Sequence, residues 1–532
     1  MRGTVRCAIC AALVMALTMA TPAAAHTRPR VGDPVVQTRQ GAVRGLTTDG
    51  ADKFLGLPYA AAPVGALRWH APAPAARWRG ARAATSYASR CPQLPSTNGA
   101  GSENEDCLYL NVFRPAGAGR ERHGRLPVLF WIHGGGFNNG SADQHDGALL
   151  ARTNNIVVVS INYRLGVFGF LALPSLDGET PGTPSGNYGL LDQQAALRWT
   201  RANIAVFGGD PGRVAIAGES AGGFAVCALL ASPQARGLFD AAVIQSGSCT
   251  SQTLASAETA GATFATAAGC PDAATAAACL RSKPAGALLG VTPAPAAAAT
   301  AGGAGLPLAP AAAVASGRFT RVPVINGANR DEGRTFAQGF TDFTQQQYET
   351  FVQSSFGADA PRVLERNPWS AFPSPYTAAY AIGAIWSDSG QIGGIGGCAT
   401  LRLTRDLDRW TPTFAYRFDD RGAPGLNYDH PGYQWGAGHA MELAYMWPSF
   451  DNGIPLAAQF TPAQRQLSEE MVRYWGAFTR LRVPFVPRQA LWPPHGATNR
   501  ILSLRPGGAT VTISDAEYAA EHNCDLWDAL SG

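Results

Sequence analysis

The ten residues from Val214 to Gly223, VAIAGESAGG, limit the possible folds more than any other part of the chain. Val214 to Ala217 read as a buried strand, GESAG follows at once, and Ala221 to Ala231 read as a helix. A serine at such a strand-to-helix turn is held in a strained backbone conformation, so the positions two before and two after it must be small. Gly218 and Gly222 meet that demand around Ser220. The first helical turn leaves backbone N–H groups without intrahelical partners, and these point toward charge developing near the serine. The fold class expected from this unit is α/β, with a large, mostly parallel central sheet and helices on both faces.

A second motif lies upstream. Val128 to Ile132 read as a strand that runs into His133-Gly134-Gly135-Gly136-Phe137. Glycines at such a turn let backbone N–H groups approach a substrate without Cβ obstruction, as an oxyanion site requires. The G-x-x-x-x-G-K-[ST] pattern of a phosphate loop is absent, so the turn does not read as one.

Further β-branched or apolar runs flank these motifs: Leu108 to Phe113, Ile156 to Ile161, Ala242 to Ile244, Val322 to Ile325 and Phe414 to Phe418. Asn187 to Ala205 carries a helical pattern. At 532 residues the chain exceeds the ~250 to 300 residues of one simple core, which predicts two domains or one heavily inserted domain. The alanine-, proline- and glycine-rich segment from Pro284 to Gly317 reads as a surface insertion with short helices, because strands resume after it. Residues 26–532 are therefore expected to form a single α/β-hydrolase domain with extended insertions. A formal net charge of +4 with no basic block argues against nucleic acid or an anionic membrane surface as partner.

The first 25 residues carry Arg2 and Arg6, an apolar run from Cys7 to Ala20, and small residues before Ala25. They read as a secretory signal peptide cleaved near Ala25, too short in its apolar run to span a bilayer. A secreted, extracellular chain with no stable membrane anchor is expected. Eight cysteines then remain in an oxidising compartment, with no C-x-x-C pair to suggest zinc or redox chemistry. Cys91 and Cys107 enclose 15 residues, and Cys270 and Cys279 enclose 8, spacings that suit locally closed loops.

Taken with Glu105-Asp106-Cys107-Leu108-Tyr109-Leu110-Asn111, Phe207-Gly208-Gly209-Asp210-Pro211 and Gln245-Ser246-Gly247, the glycine turn and the GESAGG elbow resemble type-B carboxylesterases, the family that includes cholinesterases. The likeness runs from about Pro34 to Trp527 with the motifs in the family's order. It implies Ser220 as nucleophile. In Asn329-Arg330-Asp331-Glu332-Gly333 it implies Glu332 as the triad acid, with Asp331 as the rival, and in Gly438-His439-Ala440-Met441-Glu442-Leu443 it implies His439 as the base. The oxyanion donors would be the N–H groups of Gly135, Gly136 and Ala221. Glu219 matches an acidic residue beside the nucleophile, and Ser246 a serine that hydrogen-bonds the acid. His133 opens the glycine turn and shapes it, while His145, His495 and His522 sit in no matching motif and read as surface or structural. The implied disulfides are Cys91 to Cys107, Cys270 to Cys279 and Cys398 to Cys524, leaving Cys227 and Cys249 as free thiols or a fourth bridge.

The resemblance implies a serine carboxylic-ester hydrolase acting on small-molecule esters through an acyl-enzyme, without cofactor or metal. His439-Ala440-Met441-Glu442 lacks the partner motif a zinc site would need. The alternatives are an amidase or peptidase, or a polyester or lipid-ester hydrolase, on the same triad. A silent cholinesterase-like binding module is a further one, though such modules typically lose the serine. One departure bears on substrate. The loop from Pro92 to Asp106 contains no aromatic residue, whereas cholinesterases carry there a tryptophan that receives the choline cation. Trp435 and Tyr433, before His439, are the remaining candidates for that role. Oligomeric state leaves no signal in the sequence.

Overall fold

The computed structural model describes residues 32–118, 124–179, 183–426, 429–451 and 454–530. The leader expected over residues 1–25 lies outside the described residues. Residues 34–532 form one compact unit built on a sheet of eleven strands. In chain order these are β1 (Leu46–Thr48), β2 (Ala51–Pro58), β3 (Tyr109–Pro115), β4 (Leu126–Ile132), β5 (Val157–Ile161), β6 (Gly209–Glu219), β7 (Ala241–Gln245), β8 (Val324–Asn329), β9 (Thr413–Phe418), β10 (Arg500–Leu504) and β11 (Val511–Ser514). Their spatial order is β11-β10-β9-β8-β7-β6-β4-β5-β3-β2-β1. The run from β10 through β5 is parallel, and the strands at both edges are antiparallel, so the sheet is mixed with a parallel centre.

The two-residue side-chain period divides each central strand between two cores. Val128, Phe130 and Ile132 of β4 join Val214 and Ile216 of β6 in one apolar cluster, while Leu129, Trp131, Ala215 and Ala217 face the other. Both faces are thus covered, which is why these strands read as continuous apolar runs. The helix Ala221–Ala231 packs into the first cluster through Val226, Leu229 and Leu230. The long helix Pro462–Leu481 packs into the second through Leu467, Met471, Trp475 and Phe478. Its start is fixed by a capping box between Thr461 and Gln464 and by Pro462 in the first turn.

Four strands carried no clear sequence signal. β1, β2, β10 and β11 are short or contain charged residues; β2 buries Asp52 and Lys53 by pairing them with Arg114 at 2.9 Å and Asp146 at 2.6 Å. The segment from Pro284 to Gly317 does hold short helices, Ala285–Leu289 and Pro310–Ala315. It is less superficial than expected, since Thr300, Leu306 and Ala313 are fully buried and Asn187 fastens Thr300 with two hydrogen bonds of 2.8 Å.

Four disulfides tie the chain. Cys91–Cys107, Cys270–Cys279 and Cys398–Cys524 are bonded as the resemblance implied, and Cys227 pairs with Cys249, joining the elbow helix to the segment after β7. No helix among the described residues is long and apolar enough to cross a membrane.

Candidate active site

Ser220 stands between the end of β6 and the helix Ala221–Ala231 at φ 55° and ψ −124°, and its N–H donates to Gln245 O at 2.9 Å. The flanking glycines are required by close approach. A Cβ on Gly218 would lie 2.4 Å from the carbonyl of Gly222, and one on Gly222 would lie 2.1 Å from Ile132 O. Any larger side chain would push the elbow off the end of the sheet.

The glycine turn after β4 packs against the same corner. Gly135 has φ 102°, and a Cβ there would strike Asn139 O at 2.2 Å. Tyr163 donates to His133 O at 2.8 Å, and His133 Nδ1 lies 2.8 Å from Gly134 O. Burial pushes the His133 imidazole down to about 4, so the ring is neutral and shapes the turn. Among the described residues, the N–H groups of Gly135, Gly136 and Ala221 donate to no acceptor. Gly135 and Gly136 line a cavity of about 490 Å³ together with Ser220, Glu219 and His439.

His439 Nδ1 lies 2.7 Å from Glu332 Oε2, and the other oxygen of Glu332 accepts the Asn329 N–H at 2.7 Å. Glu332 is fully buried at the end of β8. Asp331 points elsewhere: its carboxylate accepts from Arg421 Nε at 2.9 Å and from the Ala437 N–H at 3.0 Å. The hydrogen bond expected between Ser246 and the acid is not formed. Ser246 Oγ is buried without a partner among the described residues, while Asn329 and His439 engage the two Glu332 oxygens.

Glu219 contributes more than its position beside Ser220 suggested. Its Oε1 lies 3.2 Å from His439 Nε2. Burial, with Glu442 and Glu332 nearby and only His439 in opposition, raises its carboxyl to about 8. His439 is pushed down by burial but held up by Glu219 first and Glu332 second, to about 9. Each group's charge supports the other's, so they titrate as a pair; the dependable direction is the rise of Glu219 caused by burial. Once Glu219 takes a proton, its hold on the imidazolium weakens and His439 is released toward the neutral form.

Sequence reasoning gave Glu442 no role beyond a weak H-x-x-E pattern with His439. It is fully buried and accepts from Asn329 Nδ2 at 2.7 Å and Gln245 Nε2 at 3.3 Å, with Trp475 Nε1 donating to Gln245 at 2.9 Å. Among the described residues no group of three His, Cys, Asp or Glu side chains is arranged to hold a metal ion. Trp435 and Tyr433 are buried against each other with ring centroids 5.5 Å apart and do not line the cavity. Among its described lining residues the cavity has no tryptophan, tyrosine, lysine or arginine; Phe224, Phe336, Ile392 and Leu426 supply its apolar walls.

Residues 32–527 match the model of the carboxylesterase family. The chain is 35% identical to fumonisin B1 esterase of Sphingopyxis macrogoltabida over 91% of this chain and 88% of that protein. It is 33% identical to para-nitrobenzyl esterase of Bacillus subtilis over 88% of this chain and 94% of that protein. A solved thermophilic PNB esterase superposes with a TM-score of 0.75 at 30% identity, covering 92% of this chain and 99% of that one. The chain belongs to the carboxylesterase family and is a serine carboxylic-ester hydrolase.

Proposed function

We propose that this protein is a secreted carboxylesterase for neutral small-molecule esters, with Ser220 as nucleophile, His439 as general base and acid, and Glu332 orienting that histidine. The observation carrying the reading is the 2.7 Å contact of His439 Nδ1 with Glu332 Oε2 in the cavity that also exposes Ser220 at its strained turn. Glu332 fixes the tautomer that leaves Nε2 able to accept a proton. Ser220 Oγ gives up its proton to Nε2 and bonds to the ester carbonyl carbon. The N–H groups of Gly135, Gly136 and Ala221, free of other acceptors, stabilise the oxyanion. Collapse of the tetrahedral intermediate expels the alcohol, which takes the proton from His439. Water then attacks the acyl-enzyme with His439 again as base, and Ser220 is regenerated.

Neutral substrates are favoured because the described cavity lining offers no lysine or arginine to an anion, while Glu219 adds an acid. Four disulfides support an oxidising, extracellular location. Replacing Ser220 by alanine tests the assignment. The expected loss in kcat on p-nitrophenyl butyrate is on the order of 10⁴-fold or more with an unchanged melting curve. A folded variant keeping a tenth of the parent rate would overturn it.

A further inference from the structure

One amide in the cavity wall is unlike the others. Asn139 Oδ1 accepts from Asn98 Nδ2 at 2.6 Å, Asn138 Nδ2 donates to Gly136 O at 3.0 Å, and Gln338 Nε2 donates to Thr335 O at 2.8 Å. Gln144 also lines the cavity and is only 8% exposed, yet its carboxamide makes no hydrogen bond within the described chain. A side chain so deeply buried and polar is expected to have a partner.

Its position identifies the part of the substrate it meets. Gln144 ends a short 3₁₀ turn, and its own carbonyl accepts from Ser449 Oγ at 2.9 Å. The neighbouring His145 ring meets Trp447 edge to face at 5.4 Å. Gln144 is thereby tied to the segment just after His439, whose Leu443 and Phe450 line the same cavity. Because Glu332 occupies His439 Nδ1, the departing alcohol takes its proton from Nε2, which lies 3.2 Å from Glu219 Oε1 in the cavity that Gln144 also lines.

We propose that Gln144 is a specificity-determining residue that hydrogen-bonds a neutral hydroxyl on the alcohol portion, so that esters of diols and polyols are preferred over those of simple alkanols. The proposal rests on the reading of Ser220 and His439 given above. The carboxamide can donate to such a hydroxyl or accept from it, and no charged group is needed. An alkyl chain in the same place leaves the amide unpaired and desolvated, which lowers the alkanol ester's share of transition-state binding.

The experiment compares kcat/KM for 2-hydroxyethyl butyrate and n-propyl butyrate, which have the same number of heavy atoms. The wild type should favour the hydroxylated ester on the order of tenfold, the usual net worth of one buried hydrogen bond. In Gln144→Met, which keeps length and volume, the ratio should fall to within about threefold of one. A wild-type ratio near one, with p-nitrophenyl butyrate still hydrolysed, would overturn the subsite and leave the esterase intact; this arm needs no variant to fold. A preference that survives in a folded Gln144→Met would also overturn it. Failure to hydrolyse any of the three esters would instead overturn the underlying catalytic reading.

Discussion

His439 Nδ1 and Glu332 Oε2 lie 2.7 Å apart, while the adjacent Asp331 turns its carboxylate to Arg421 at 2.9 Å. Neighbouring acids past the end of one strand thus face different partners. Glu332→Gln should lower kcat far more than Asp331→Asn, because an amide in place of the carboxylate can present its NH₂ to Nδ1 and favour the wrong tautomer. A loss of about 10³-fold or more is expected for Glu332→Gln, by analogy with triad acids elsewhere. Asp331→Asn should cost stability more than turnover, since it weakens the Arg421 pair at a half-exposed site. Steady-state kinetics with thermal melts of both variants decide the matter, and a crippled Asp331 variant would reverse the assignment.

The electrostatics of Glu219 predict a pH effect. Its charge holds the His439 imidazolium up, toward about 9. Glu219→Gln removes that charge, so the imidazole should lose its proton more readily and the acid limb of kcat/KM should move to lower pH. The sign follows from the active form: the base must be neutral, and a lower imidazole pKa extends neutrality into more acidic solution. Glu332 remains in place to orient the ring. An unmoved or raised acid limb would show that Glu219 does not act on His439.

Far from the cavity, His495 links two elements electrostatically. Nδ1 lies 2.5 Å from Asp408 and Nε2 2.6 Å from Asp515, the ring and both acids largely buried. Burial lowers the imidazole's affinity for a proton, but the two carboxylates outweigh it and the net shift is upward. Asp515 is shifted downward, burial being outweighed by His495 and Arg405. A raised folded-state imidazole gives stability fully present below its unfolded pKa of ~6.5 and lost as pH rises through the folded value. A depressed Asp515 gives stability present above its unfolded value of ~3.9 and lost as pH falls through the folded one. His495→Gln should therefore lower the melting temperature most between about pH 4 and 6.5 and least at alkaline pH. A melting difference that is flat with pH would mean His495 acts by packing alone.

What was legible in the sequence was what local strain makes explicit. Gly218 and Gly222 declare the elbow around Ser220 because no larger residue fits where Gly222 C and Ile132 O approach them. Glu332 and Asp331 could be ranked only by the family's likeness, since choosing between adjacent acids depends on Arg421, ninety residues away. The same limit hid the Cys227–Cys249 pairing, which needs the elbow helix and the loop after β7 to be placed side by side. Ser246 failed for another reason: its backbone is held beside β8, but its hydroxyl finds no partner among the described residues, a matter of side-chain geometry that no motif records. Gln144 carries no motif at all, and its interest lies in a missing partner that only the packed structure exposes.

The cavity also predicts indifference to a quaternary ammonium. A desolvated cation–π contact is worth about 2 kcal/mol, or roughly thirtyfold in kcat/KM when expressed in the transition state. Tryptophan and tyrosine are absent from the described lining, and the two residues that could have supplied one, Trp435 and Tyr433, meet edge to face away from it. Phe336 is nearer, its ring 4.8 Å from that of His439, but phenylalanine is a weaker cation acceptor than tryptophan and this face is already occupied by the imidazole. Glu219 could attract a cation by charge, yet burial raises its carboxyl and favours the neutral form. Butyrylcholine and its uncharged 3,3-dimethylbutyl analogue should therefore be hydrolysed within a few-fold of each other at pH 7. As pH rises and Glu219 ionises, the cationic ester should gain relative to its analogue. A thirtyfold preference already present at pH 7 would place an aromatic cation receptor in the cavity and refute this account of its walls.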